Sequence, residues 1–105
     1  MIHIVAYDLK QPNDTEANYE LIIDAIKSKF DSWCHIEQSV WIVDTQSDAC
    51  AVRDALTDYV HEGDVLFVAR LTGNWGSWNF GEKRNEWLKS RTFSEGGQRS
   101  PTRVV

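Results

Sequence analysis

A chain of 105 residues has the size of one compact domain, and its 42% hydrophobic and 11% aromatic content can supply a core. A net charge of −5 excludes a protein that coats nucleic acid by charge alone. No apolar run approaches the roughly 20 residues of a membrane span, and no basic stretch followed by an apolar one marks a secretory leader, so a cytoplasmic protein is expected.

The charge is uneven. Residues 1–80 carry 5 Lys/Arg against 13 Asp/Glu, and residues 81–105 carry 6 against 3. An acidic body thus precedes a basic tail, and the two can serve different partners or the tail can simply be solvated. Cys34 and Cys50 form no close-spaced motif, so two reduced, largely buried thiols are expected. Each of the five Trp offers a large apolar face with one N–H to satisfy.

In chain order, residues 2–7 are apolar almost without a break and predict a central strand that exits at Asp8. An acid at that exit suits a metal ligand or general base, or an Asx turn that shapes the loop. Asn13 to Glu16 has the spacing of a capping box. Tyr19, Ile22, Ile23, Ile26 and Phe30 then recur at helical spacing, with the helix ending near Phe30. Residues 33–38 and 39–44 read as two strands, either one long bent strand or a bulged hairpin, since no Asn-Gly or Asp-Gly marks a tight turn. Thr45 and Ser47 offer caps for a second helix carrying Cys50, Val52, Ala55, Leu56, Tyr59 and Val60, which Gly63 stops. Residues 64–71 predict the fourth strand, and 82–89 a short helix with Trp87 and Leu88 on one side. The Ser, Gly, Gln, Arg and Pro content from Thr92 predicts a disordered basic tail over 92–105, after one domain over 1–91.

The order β-α-β-β-α-β predicts an α+β protein of ferredoxin-like topology. Its antiparallel four-stranded sheet carries two helices on one face, followed by a Trp-rich C-terminal segment and a short helix. The other sheet face must be covered, and a second copy can do so, which makes a homodimer the expected state. No Walker loop, dinucleotide fingerprint, zinc-spaced Cys/His set or Ser-His-Asp signal appears.

Val5-Ala6-Tyr7-Asp8 and Glu37-Gln38-Ser39-Val40-Trp41 resemble the CRISPR-associated protein 2 family. Tyr7 to Lys10, Trp33 and Leu71-Thr72-Gly73-Asn74-Trp75 with Trp78 are similar to a group of small SinR-like proteins. The first resemblance implies a ferredoxin-like homodimer associated with nucleic acid. It also implies metal-dependent endonuclease chemistry, in which Asp8 of each copy approaches one Mg²⁺ or Mn²⁺. His35 stands where that family often has Arg, and residues 1–80 are acidic where the family is usually basic.

Of the remaining candidates, Ser39 suits a phosphate contact or a bond within the sheet. Trp75 and Trp78 suit base stacking, with Lys83 and Arg84 meeting phosphates; alternatively the tryptophans lock the loop onto the sheet or onto a partner. Cys34 and His35, adjacent on a strand, should face opposite ways and form no catalytic pair. The competing function is a non-catalytic dimeric module, of phage or mobile-element type, that binds a protein partner through its Trp-rich segment.

Overall fold

The computed structural model describes residues 1–93; the expected tail from residue 94 onward lies outside the described residues. Four strands form one antiparallel sheet in the order β2-β3-β1-β4, where β1 is Ile2–Asp8, β2 is Ser32–Glu37, β3 is Val40–Asp44 and β4 is Val65–Arg70. Helix α1 (Glu16–Lys29) connects β1 to β2, α2 (Ala49–Leu56) connects β3 to β4, and α3 (Glu82–Lys89) follows the sheet. β1 therefore lies between the two strands that α2 links, with Ile4 opposite Ile42 on one side and Ala69 on the other. Its near-continuous apolar sequence is what a strand with neighbours on both sides and cover on both faces requires.

Alternation along the strands makes two cores. Val5 and Tyr7 of β1, with Trp41 and Val43 of β3, face the helices and pack with Ile22, Ala25, Ile26 and Phe30 of the α1 region and Val52 and Leu56 of α2. Trp41 is fully buried at the centre of this layer. On the opposite face Ile2, Cys34 and Ile42 pack with Leu88 of α3, flanked by Ile36, Leu71, Trp75, Phe80, Trp87 and Phe93.

Side-chain bonds fasten α3 to that face. Trp87 Nε1 donates to Ser32 Oγ at 3.0 Å, and Arg91 Nη1 donates to the same oxygen at 2.9 Å and to Asp44 Oδ2 at 3.3 Å. The Arg91 guanidinium also lies over the Trp87 ring, 4.6 Å from its centroid. Gly81 opens α3 at φ +100°, a conformation that a side chain would strain.

Several local expectations change. Thr15, not Asn13, caps α1, its Oγ1 accepting from Asn18 N at 3.1 Å. Asn13 is occupied elsewhere, as described below. Asp48, not Thr45 or Ser47, caps α2 by accepting from Ala51 N at 2.8 Å. That helix stops at Leu56 and tightens into a 3-10 turn over Thr57–Tyr59, well before Gly63. The strands at 33–44 form a hairpin with a bulge between His35 and Glu37, the second of the two alternatives. Cys34 is buried, but Cys50 is exposed, contrary to the expectation of two largely buried thiols.

Candidate functional site

Asp8 is the last residue of β1 and pairs across the sheet with Val65. Alternation puts it on the second face, with Ile2, Ile4 and Ala6. Its side chain is 58% exposed, and Oδ2 lies 2.6 Å from Lys10 Nζ. The hydrogen bond and charge of Asp8 hold the Lys10 ammonium above its ordinary pKa. Asp8 thus has a cation of its own. Among the described residues no three His, Cys, Asp or Glu side chains gather as a metal-ligand set. One carboxylate per chain binds Mg²⁺ or Mn²⁺ weakly, so a metal at Asp8 requires a second copy's carboxylate or a substrate's phosphates.

The acid that organises the β1 exit is Asp64. Its side chain is fully enclosed, one residue before β4. Oδ1 accepts from Lys10 N at 2.7 Å and from Asn13 Nδ2 at 3.1 Å, and Oδ2 accepts from His61 N at 2.8 Å. Burial pushes this carboxyl up, but the bonds from His61, Lys10 and Asn13 outweigh it and hold the pKa below its ordinary value. Asn13 Nδ2 also donates to Glu62 O at 3.2 Å, which removes Asn13 from capping duty. The sequence signal for Asp64 is the Gly63-Asp64 pair before an apolar strand. That pair marks a turn but cannot reveal partners some fifty residues away.

The two patches that carry the nuclease-family resemblance meet in space. Tyr7 OH donates to Gln38 O at 2.6 Å and accepts from Trp41 Nε1 at 3.0 Å, and Tyr7 N donates to Ser39 O at 3.1 Å. Burial raises the Tyr7 phenol pKa, with the Trp41 bond opposing it. This network satisfies the polar ends of two buried aromatics, which is a structural task for both patches. Ser39 Oγ donates to Glu37 Oε1 at 3.2 Å on the surface. His35 stacks on Trp41 with centroids 3.7 Å apart, on the face opposite Cys34, so no thiol–imidazole pair forms. His3 is fully buried with Nε2 against Ser47 O at 2.7 Å. Desolvation lowers the pKa of both histidines.

The C-terminal candidates divide. Trp75 packs into the second core, and Arg84 Nη1 donates to Phe80 O at 3.3 Å with its guanidinium 5.7 Å from the Phe80 ring. Trp78 is 93% exposed and Lys83 is exposed in the first turn of α3. Among the described residues no hydrogen bond or ion pair joins Trp75, Trp78, Lys83 or Arg84 to Asp8 or Ser39.

A further feature is not evident from the sequence. On the second face α3 and its loop cover β2, β3 and the Ile2 end of β1, and leave exposed the end of the β1–β4 pair that carries Phe67 and Val65. There Phe67 is 59% and Val65 50% exposed, beside the half-buried Ile4, Ala6 and Ala69. β4 is apolar at both parities, so alternation could not say which of its residues face solvent. No helix among the described residues is long and apolar enough to cross a membrane. Comparison with family models, with curated proteins and with solved structures finds no match.

Proposed function

We propose that this chain is a non-catalytic interaction module of ferredoxin-like fold that works as a homodimer. The split connection, with β1 between β3 and β4, supports the fold. The observation that carries the function is the end of the β1–β4 pair on the second sheet face, where Phe67 and Val65 stand exposed. Large apolar side chains grouped on a sheet mark a contact surface. The Asp8–Lys10 pair, the structural use of Arg84 and the acidic body all favour a protein contact over a phosphate backbone. Trp78, almost wholly exposed, offers an anchor for a second protein.

Light scattering at high micromolar concentration tests this reading. The wild type should run at twice the 12.1 kDa of one chain. Phe67→Glu should run as a monomer while losing less than about 1 kcal/mol of stability, as for a surface position. A monomeric wild type rejects the homodimer.

One observation favours a second reading, the nucleic-acid-associated nuclease. Asp8 shares the bare face with Phe67 and Val65, so two copies stacked face to face would bring two Asp8 carboxylates to one rim. That arrangement would bind Mg²⁺ or Mn²⁺ and polarise a phosphate. Cleavage of RNA or DNA by wild type, abolished in Asp8→Asn, is the result this reading needs.

A further inference from the structure

The two edges of the sheet are built differently. The β2 edge is broken by the bulge between His35 and Glu37, and its first residue, Ser32, receives Trp87 and Arg91. The bulge is among the devices that keep an edge from pairing. β4 has none of them: its register with β1 is unbroken from Val65 to Arg70, and its sequence Val-Leu-Phe-Val-Ala is apolar until Arg70.

The hydrogen-bond pattern identifies which groups are free. Tyr7 N bonds Ser39 O and Thr45 N bonds Met1 O, so the odd residues of β1 bond toward β3. Leu71 N bonds Ile2 O, so the even residues bond toward β4, and Val65, Phe67 and Ala69 answer them. Leu66, Val68 and Arg70 therefore point their N–H and C=O groups outward, where no described residue pairs with them. Beside this edge runs a groove lined by Ala49, Cys50 and Arg53 of α2 and by Leu66, Phe67 and Val68.

We infer that the free edge of β4 pairs with the β4 edge of a second copy, antiparallel about a two-fold axis at Val68. This rests on the homodimer reading and places its contact along the β4 edge, with Phe67 at the rim of that contact and the remainder of the exposed face left open to a second protein. The charges favour the antiparallel sense. The turn from α2 into β4 carries the exposed Asp58 and Glu62, while Asp54 is already paired with Arg53 at 2.8 Å, whereas the far end of β4 carries Arg70. Antiparallel pairing sets each Arg70 against the partner's acidic end, where the carbonyl end of α2 also favours a cation. Placing the axis at Val68 opposes Val68 to its twin and Leu66 to the partner's Arg70. All three outward residues of each chain are then used, in about six N–H···O bonds. Asp64 N, already bonded to His61 O, is left undisturbed. On the bare face Phe67 meets the small Ala69 of the partner, which suits cross-strand packing.

This geometry excludes the shared metal. Asp8 lies one strand inward and level with Val65, so the two Asp8 carboxylates sit about 25 Å apart across the axis.

Amide exchange on the full-length wild type, followed residue by residue beside light scattering, tests the pairing. In the dimer, Leu66, Val68 and Arg70 amides should exchange at least about tenfold more slowly than in the diluted monomer. A dimer in which these amides exchange as fast as loop amides such as Gly73 overturns the edge pairing and leaves the homodimer standing. Protection that persists after dilution to monomer overturns it too, since a strand from the same chain would then occupy the edge. A monomer at every concentration removes the homodimer and the pairing together. Arg70→Glu, which alters no core contact, should weaken the dimer at least about tenfold through like-charge contact with the acidic end; an unchanged dimer rejects the register.

Discussion

The two faces of the sheet are sealed in different ways. The helix face closes around Trp41, whose ring packs between two helices, stacks on His35 and donates to Tyr7. Among the described residues the second face is closed over only part of its area, by a short helix and a loop fastened through Ser32, Asp44 and Arg91. Local chain distance explains the difference. α1 and α2 are connections between strands and must lie on the sheet, whereas the segment after β4 joins no two strands among the described residues and lies where its aromatics find apolar residues. The helix face therefore carries the stability, and the second face is free to carry contacts.

Core truncation should break this contrast most visibly. Trp41→Ala empties the centre of the helix face and removes the donor to the Tyr7 hydroxyl, which keeps its own bond to Gln38 O, so a loss of about 3–5 kcal/mol is expected in urea unfolding. Leu88→Ala removes the one buried residue of α3. Its cost should fall near the lower end of the 2–5 kcal/mol range, about 2 kcal/mol, because the flanking segment can move in. Equal losses from the two variants would mean that both faces contribute alike.

Acid should strain the helix face selectively. His3 and His35 both belong to it, and burial holds both below the ordinary value of about 6.5. The unfolded chain therefore binds more protons than the folded one in the window just under that value. Stability is complete above about pH 6.5 and is lost as pH falls from there through the lowered folded values. Urea midpoints should decline over that interval, and His3→Gln should flatten the slope. A flat profile in the wild type would show that neither ring is as desolvated as its burial indicates.

How far the sequence could be read follows the same division. The apolar pattern of β1, the helical spacing of Ile22 and Ile26 and the bounds of α3 are local signals, and the structure bears them out. What local pattern cannot show is which distant group a polar side chain will find. Asn13 looks like a cap but bonds Asp64, and Asp64 looks like a turn residue but holds the β1 exit. Trp75 and Trp78 look equivalent in sequence, yet one packs against the second core and the other is 93% exposed.

The smallest expected effect lies at Asp8, where the sequence drew most attention. Its carboxylate is exposed, is paired among the described residues with an exposed Lys10 alone, and belongs to neither core cluster. An ion pair so placed gains little, because water screens the attraction and two side chains give up freedom to make it. Asp8→Asn should therefore leave the thermal midpoint unchanged within error, while Asp64→Asn, which weakens bonds to three donors, should lower it. If the edge pairing at β4 is right, Asp8→Asn should also leave the dimer intact. A structural Asp8 would instead lower the midpoint, and an Asp8 lying at the dimer interface would change the dimer. If Asp8→Asn moves neither, any nucleic-acid cleavage it abolishes is chemistry at Asp8 itself, and if there is none, the acid serves only to keep the rim of the sheet in water.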